Sequence, residues 1–487
     1  MKYRWYIIKA RSKVEAMTQV APQNLSATNV SATRPPLAGC APPPEKPLGF
    51  FAQIRAAQDN SFETFPREAY EVPIWKPKSM LNSMLLVSDP EGVRRILVEN
   101  VANYPKHDME RRFFNAMFGA GLLGIDGDLW RAHRKVMAPP FHPRSVMAYG
   151  PAMANCAAAC AERWRGLNDS RPVDIADEMR DVTLRIICRT MFSTDAEELV
   201  GVTGKALGFA QDALTFNLLD LLPVIGAWRM KLKEKAIHRD FGGMDGAIYR
   251  MIETRQRDLA NAPDDLLTRL VAARDPDTGA GLTAEEVRDE VITIFMAGHE
   301  TTASTLTWAW YALSQHPEVE AKLHAEIDAV LGGRIASADD LPNLPYTRMV
   351  IDEAMRLYPA APGISARVAV KDDVVSGVKI KAGQSIMICP WILQRHTRLW
   401  DRPLEFDPDR FSPERSHGRP RFAHMPFGGG PKVCIGASLA TTEAVIILAT
   451  LAQTFQPRLA PGETVTLRTR VTLFPKDGLK MVLEPRT

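Results

Sequence analysis

The stretch of this chain best equipped for chemistry is Pro426-Phe427-Gly428-Gly429-Gly430-Pro431-Lys432-Val433-Cys434-Ile435-Gly436. Its glycines and proline enforce a tight turn in conformations closed to other residues, and they leave backbone amides free to approach whatever sits on the sulfur. Cys434 follows at the expected start of a helix, where the dipole and unpaired N–H groups favour a thiolate. A low-pKa thiolate beside an aromatic ring and a cation suits a soft metal or a nucleophile. A buried, inert thiol is the alternative that the loop alone leaves open. The phosphate-loop pattern is not met here, nor at Gly204-Lys205, which Ala206 follows. Zinc fits poorly, because no second Cys or His stands at ligand spacing.

A second constellation, Ala297-Gly298-His299-Glu300-Thr301-Thr302, lies within an otherwise apolar run. Ala and Gly remove bulk from one helix face, which would let a flat cofactor or small ligand approach the backbone. The acid and hydroxyls that follow can move protons, and an acid in apolar surroundings is costly without partners or water. A helix kink with a satisfied polar cluster is the competing reading, since Ser and Thr bond back to helix carbonyls. The zinc pattern H-E-x-x-H fails because residue 303 is Ala.

Three further patterns are weaker singly. Glu353 and Arg356 share a helix face at i,i+3 spacing, and Pro403-Leu404-Glu405-Phe406-Asp407-Pro408-Asp409-Arg410-Phe411 follows about fifty residues later. Trp130 and Arg134 share a face in Trp130-Arg131-Ala132-His133-Arg134. An amphipathic basic helix explains that last pair equally well.

The cysteine loop resembles the haem-binding signature of the cytochrome P-450 family, F-x-x-G-x-R-x-C-x-G. Phe427, Gly430, Cys434 and Gly436 match, and Lys432 stands where Arg is usual. Residues 297–302 resemble the family's distal motif, [AG]-G-x-[DE]-T-[TS]. The other patterns are similar to its E-x-x-R helix, the segment that adds a second arginine, and its W-x-x-x-R helix, all in the family's order. The resemblance implies a mainly α fold with a smaller β-rich portion, in one domain from about residue 47, behind a Pro-rich flexible tail over residues 1–46.

It further implies haem b (iron protoporphyrin IX) with Cys434 as axial ligand and Phe427 beside the sulfur. Trp130, Arg134, Lys432 and, more loosely, Arg367 would meet the propionates, although Lys lacks the bidentate fork of Arg. Thr301 would hydrogen-bond dioxygen and Glu300 would relay protons. Glu353, Arg356 and Arg410 would form a buried structural network. The implied reaction inserts one oxygen atom into an apolar organic substrate. NAD(P)H electrons would arrive through a separate ferredoxin or flavodoxin-type donor and its reductase, docking near Arg421 and Lys432.

The elements that must position these residues are readable in outline. Thr283-Ala284-Glu285-Glu286 is a capping box opening a helix that Pro317 stops. Further helices fit 318–331, 346–357 and 435–454, the last with one charge, Glu443. Between Ala366 and Ile388, turn dipeptides separate short strand-like runs. Apolar and aromatic residues at Phe113–Leu123 and Phe216–Ile225 are candidates to line a substrate pocket.

Composition sets the outer limits. The 487 residues are 46% hydrophobic and 24% charged, as in ordinary globular proteins. A net charge of +3 without a long Lys/Arg run argues against a nucleic-acid partner. Six cysteines with no C-x-x-C pair point to a reducing compartment rather than a disulfide framework. No membrane anchor and no signal peptide are evident, and a cytoplasmic location is expected.

Overall fold

The computed structural model describes residues 36–49, 59–77, 84–167, 171–194, 244–274 and 279–486, with Ala52, Arg55, Ala56 and Leu232 between them. Helix α1 spans Asp108–Phe118, α2 Gly127–Met137, α3 Gly150–Arg165 and α4 Ile175–Met191. After them come α5 (Leu266–Ala272), α6 (Ala284–Gln315), α7 (Pro317–Leu331), α8 (Pro345–Leu357) and α9 (Ala437–Ala452). Aspartates cap several of these starts: Asp126 precedes α2, Asp174 α4 and Asp265 α5, each accepting a first-turn amide. Pro317 and Pro345 occupy first helical positions, where a missing N–H costs nothing.

The capping box at Thr283 forms as its sequence predicts. Its hydroxyl accepts the Glu286 amide at 3.1 Å, and Glu286 Oε2 accepts the Thr283 amide at 2.8 Å. Helix α6 then runs through the body with both faces covered. Its Gly298 meets Ile187 of α4, whose Cδ1 would lie 2.7 Å from an added Cβ. The bulk missing at 298 therefore admits a neighbouring helix, which corrects the reading of Gly298 as room for a ligand. Thr183 of α4 also donates to the His299 carbonyl at 3.0 Å. Trp164 of α3 and Trp310 of α6 are fully buried with ring centroids 6.2 Å apart, and truncating such a ring typically costs ~3–5 kcal/mol.

Strands β1 (Ile74–Trp75) and β2 (Leu85–Val87) join β4 (Ile364–Val368) and β7 (Ser385–Ile388) in a four-stranded sheet of order β1-β2-β7-β4. Only the β2–β7 pair is parallel, with Leu85 opposite Ile386. Between β4 and β7, the hairpin of β5 (Asp373–Val375) and β6 (Val378–Ile380) turns at Ser376 and Gly377, both at positive φ. Strands β3 (Val173–Asp174), β8 (Phe455–Leu459) and β11 (Lys480–Pro485) form a second sheet, and β9 (Leu467–Thr469) pairs with β10 (Leu473–Pro475). The Leu473 carbonyl accepts from Ser304 (2.6 Å) and Trp308 (3.0 Å), fixing α6 to this β-rich edge.

Two boundaries differ from expectation. Leu37 and Cys40 are buried, although the flexible tail was expected to reach residue 46. Tyr311 and Tyr358 explain this: Ala38 donates to the first hydroxyl at 3.0 Å, and the second hydroxyl donates to the Ala38 carbonyl at 2.9 Å. Buried tyrosines need such partners. Helix α9 starts at Ala437 rather than 435, because the Cys434 amide turns back to the Phe427 carbonyl at 2.9 Å.

Candidate active site

The cysteine loop is fastened at its entry, its turn and its exit. At the entry, the Met425 amide donates to Gln394 Oε1 at 2.9 Å. Gln394 Nε2 in turn donates to the carbonyls of Met355 and Arg356, at 2.9 and 3.1 Å, so one side chain couples the loop to α8. In the turn, Gly430 has φ +69°, and an added Cβ would lie 1.9 Å from the Leu97 carbonyl oxygen. Only glycine fits there. At the exit, the Cys434 amide closes the loop on Phe427, whose half-buried ring packs on the core.

Cys434 is exposed, whereas the other five cysteines are buried. Yet protein surrounds its sulfur closely enough for desolvation to push the thiol pKa up, while the Gly436 amide and the Arg134 guanidinium pull it down. The sulfur is therefore reachable, with an amide and a guanidinium beside it that favour its ionised form. That suits a group carrying a metal, which displaces the thiol proton. The residues present therefore fit a haem.

Helix α2 carries the expected cations to this loop. Arg134 donates to the Val433 carbonyl at 2.9 Å, and its guanidinium lies 5.9 Å from the Trp130 ring centroid. The Lys432 ammonium is 5.7 Å from the same ring and pairs with Asp126. Lys432 is thus drawn inward, so of the two cations expected on the docking surface only Arg421 is exposed. Arg367 is buried in β4, beside Lys106, and feels the charges of Asp126 and Glu110. Cys434, Phe427, Trp130, Arg134, Lys432 and Arg367 come together around one region.

On α6, Thr301 donates to the Ala297 carbonyl at 2.8 Å, and Ala297, Gly298 and Thr301 are half-buried in an otherwise buried stretch. Glu300 is buried. His299 points the other way: Nδ1 is 2.6 Å from the Phe295 carbonyl, and burial lowers its pKa to about 4, keeping the ring neutral. It is a satisfied core histidine.

The charge network assembles fully. Arg356 donates to Glu353 at 2.6 and 2.8 Å, and Arg410 does so at 3.3 Å, all three residues being buried. The Asp407 amide adds 2.8 Å, and the Arg356 guanidinium also holds the carbonyls of Gln394, Pro403 and Glu405. Since Gln394 anchors Met425, the network braces the cysteine loop.

Several site-building residues escaped the sequence reading. Lys106, buried in strand-like backbone, spreads its ammonium over the carbonyls of Leu122 (3.1 Å), Leu123 (2.8 Å) and Ile125 (3.0 Å), and burial lowers its pKa to about 8. The same loop's amides at Ala120 and Leu122 donate to Asp289 (2.6 Å) and Glu290 (3.1 Å) of α6, and Glu290 pairs with His133 at 2.7 Å. These contacts fix the second half of the Phe113–Leu123 stretch; Phe216–Ile225 lies outside the described residues. Glu443 of α9 is wholly buried, with the Thr302 hydroxyl beside its carboxyl. Burial raises its pKa to about 8, and the Thr302 hydroxyl opposes the shift. The sequence marks Glu443 as the one charge of an apolar helix, but not its approach to Thr302.

Known proteins share this architecture. A family model described as Cytochrome P450 matches residues 42–481. Cyclooctat-9-en-7-ol 5-monooxygenase of Streptomyces melanosporofaciens is 35% identical over 411 residues, 82% of this chain and 86% of that protein. Pentalenene oxygenase of Streptomyces avermitilis is 35% identical over 375 residues, 76% of this chain and 81% of its own. The crystal structure of the cytochrome P450DA haem domain has a TM-score of 0.80 and 27% identity, covering 92% of this chain and 98% of that one. With the family model running through almost all of the body that carries the cysteine loop, the chain belongs to the cytochrome P450 family and is one of its monooxygenases.

Proposed function

We propose that this monooxygenase hydroxylates or epoxidises a cyclic, apolar, terpenoid-like hydrocarbon or alcohol. Electrons would come from NAD(P)H through a separate ferredoxin or flavodoxin-type donor and its reductase, in the cytoplasm. The observation that carries the haem-thiolate part is the Cys434 sulfur, exposed where the other described cysteines are buried, with the Arg134 guanidinium held beside it on the Val433 carbonyl. The substrate class is supported by relatives named for pentalenene and cyclooctat-9-en-7-ol, and by the phenylalanines of α1. Phe113 and Phe114 meet edge to face at 5.4 Å, and both pack on the core cluster while remaining partly exposed. Among the described residues, no helix is long and apolar enough to cross a membrane.

When bound, haem supplies an iron that thiolate ligation tunes for cleavage of dioxygen. The chain's own residues do the rest. Cys434 provides the sulfur, and the nearby guanidinium of Arg134 and the Gly436 amide favour its ionised form. Trp130, Arg134 and Arg367 would hold the propionates. Half-buried Thr301 donates its hydroxyl proton to the Ala297 carbonyl, so Oγ1 can accept a hydrogen bond, and turning off that carbonyl would free the proton for dioxygen. Glu300, one residue earlier, would resupply that proton from water.

The test is turnover with a ferredoxin, its reductase, NADPH and labelled dioxygen, offering pentalenene-like cyclic olefins against straight-chain fatty acids. One labelled oxygen atom in an oxidised cyclic product supports the reading. Oxidation of fatty acids alone, or product formed only with added peroxide, contradicts it.

A further inference from the structure

We propose that Asp126 is a positioning residue that sets the cysteine loop against helix α2 through the ammonium of Lys432. This rests on Cys434 being the haem ligand. Asp126 joins three segments: Oδ1 accepts the Gly127 amide at 2.8 Å and the Lys432 ammonium, while Oδ2 accepts the Lys106 amide at 2.9 Å. Both members of the ion pair are largely buried, at 14% and 16% exposure, where salt screens weakly. Asp126 caps the start of α2, and Trp130 and Arg134 share one side of that helix. They touch consecutive loop residues: Asp126 and Trp130 meet Lys432, and Arg134 meets the Val433 carbonyl. The next residue is Cys434. A lysine in this geometry is committed to a protein carboxylate, so its first task is to hold the loop in register.

Asn caps helices as well as Asp does but has a single side-chain oxygen, so Asp126→Asn removes the ionic tether together with one of the two amide contacts, and Lys432→Gln is the variant that removes the tether alone. The readout is the carbon monoxide complex of the reduced holoprotein after a fixed exposure to urea. There the fraction lacking the thiolate band should rise roughly fivefold or more in Asp126→Asn, since about 1 kcal/mol of lost tether is worth that factor. Lys432→Gln, which leaves α2 untouched, should show the tether's share of that rise, and the double variant should add nothing to Asp126→Asn. A wild-type fraction in Asp126→Asn, or effects that multiply in the double variant, would overturn the tether. A wild-type protein with no thiolate band would instead sink the ligand assignment, and amide exchange at Val433 and Cys434 in Asp126→Asn would still decide the tether.

Discussion

Replacing Glu443 with glutamine should remove a pH dependence from the stability of this enzyme. The side chain is wholly buried in α9, and burial raises its carboxyl pKa from 4.5 to about 8. Between those values the folded protein keeps a proton that the unfolded chain releases. Folding therefore takes up one proton, and stability falls as pH rises, by ~1.4 kcal/mol per unit. The loss should begin near pH 4.5, end near pH 8, and total on the order of 5 kcal/mol for this group. Glutamine has the same shape and does not titrate, so the variant should gain on wild type throughout that window and hold a constant lead above it. Urea unfolding of both holoproteins from pH 5 to 9 measures the difference. Carboxylic acid absorption in the infrared, present in wild type at pH 6 and missing in the variant, identifies the group. Parallel stability curves would refute a buried proton on Glu443.

Glu353→Ala leaves two buried guanidinium groups without their anion and should cost ~3–5 kcal/mol, read as a lower unfolding midpoint. Gly430→Ala drives a Cβ into the Leu97 carbonyl at a positive φ; it should cost more than ~1–3 kcal/mol and lower haem retention, whereas wild-type retention would show that the turn can relax. Thr301→Ala should leave the thiolate–carbon monoxide band unchanged and divert reducing equivalents into peroxide, measured as peroxide formed per NADPH consumed. Unchanged coupling would remove Thr301 from proton handling.

How much was legible follows from where the physics is local. The capping box at Thr283, the stop at Pro317 and the Ser376-Gly377 turn are short-range rules, and each element formed where they put it. The Glu353–Arg356–Arg410 network was reached through the family resemblance, because a shared helix face is a common pattern and does not by itself point to Arg410. What stayed hidden depends on distant partners. Nothing near Lys106 says that its ammonium will rest on three carbonyls some sixteen to nineteen residues away. Gly298 looked like room for a ligand because Ile187 of α4 is more than a hundred residues earlier. Asp126 reads as a helix cap alone until the cysteine loop brings Lys432 to it.

The claim on which the rest depends is the bond between Cys434 sulfur and haem iron. The most direct measurement is the absorbance of the reduced carbon monoxide complex, taken for wild type and Cys434→Ser side by side. A thiolate-type band in wild type that vanishes in the serine variant is the predicted result. A wild type without that band, or a serine variant that keeps it, would contradict the account.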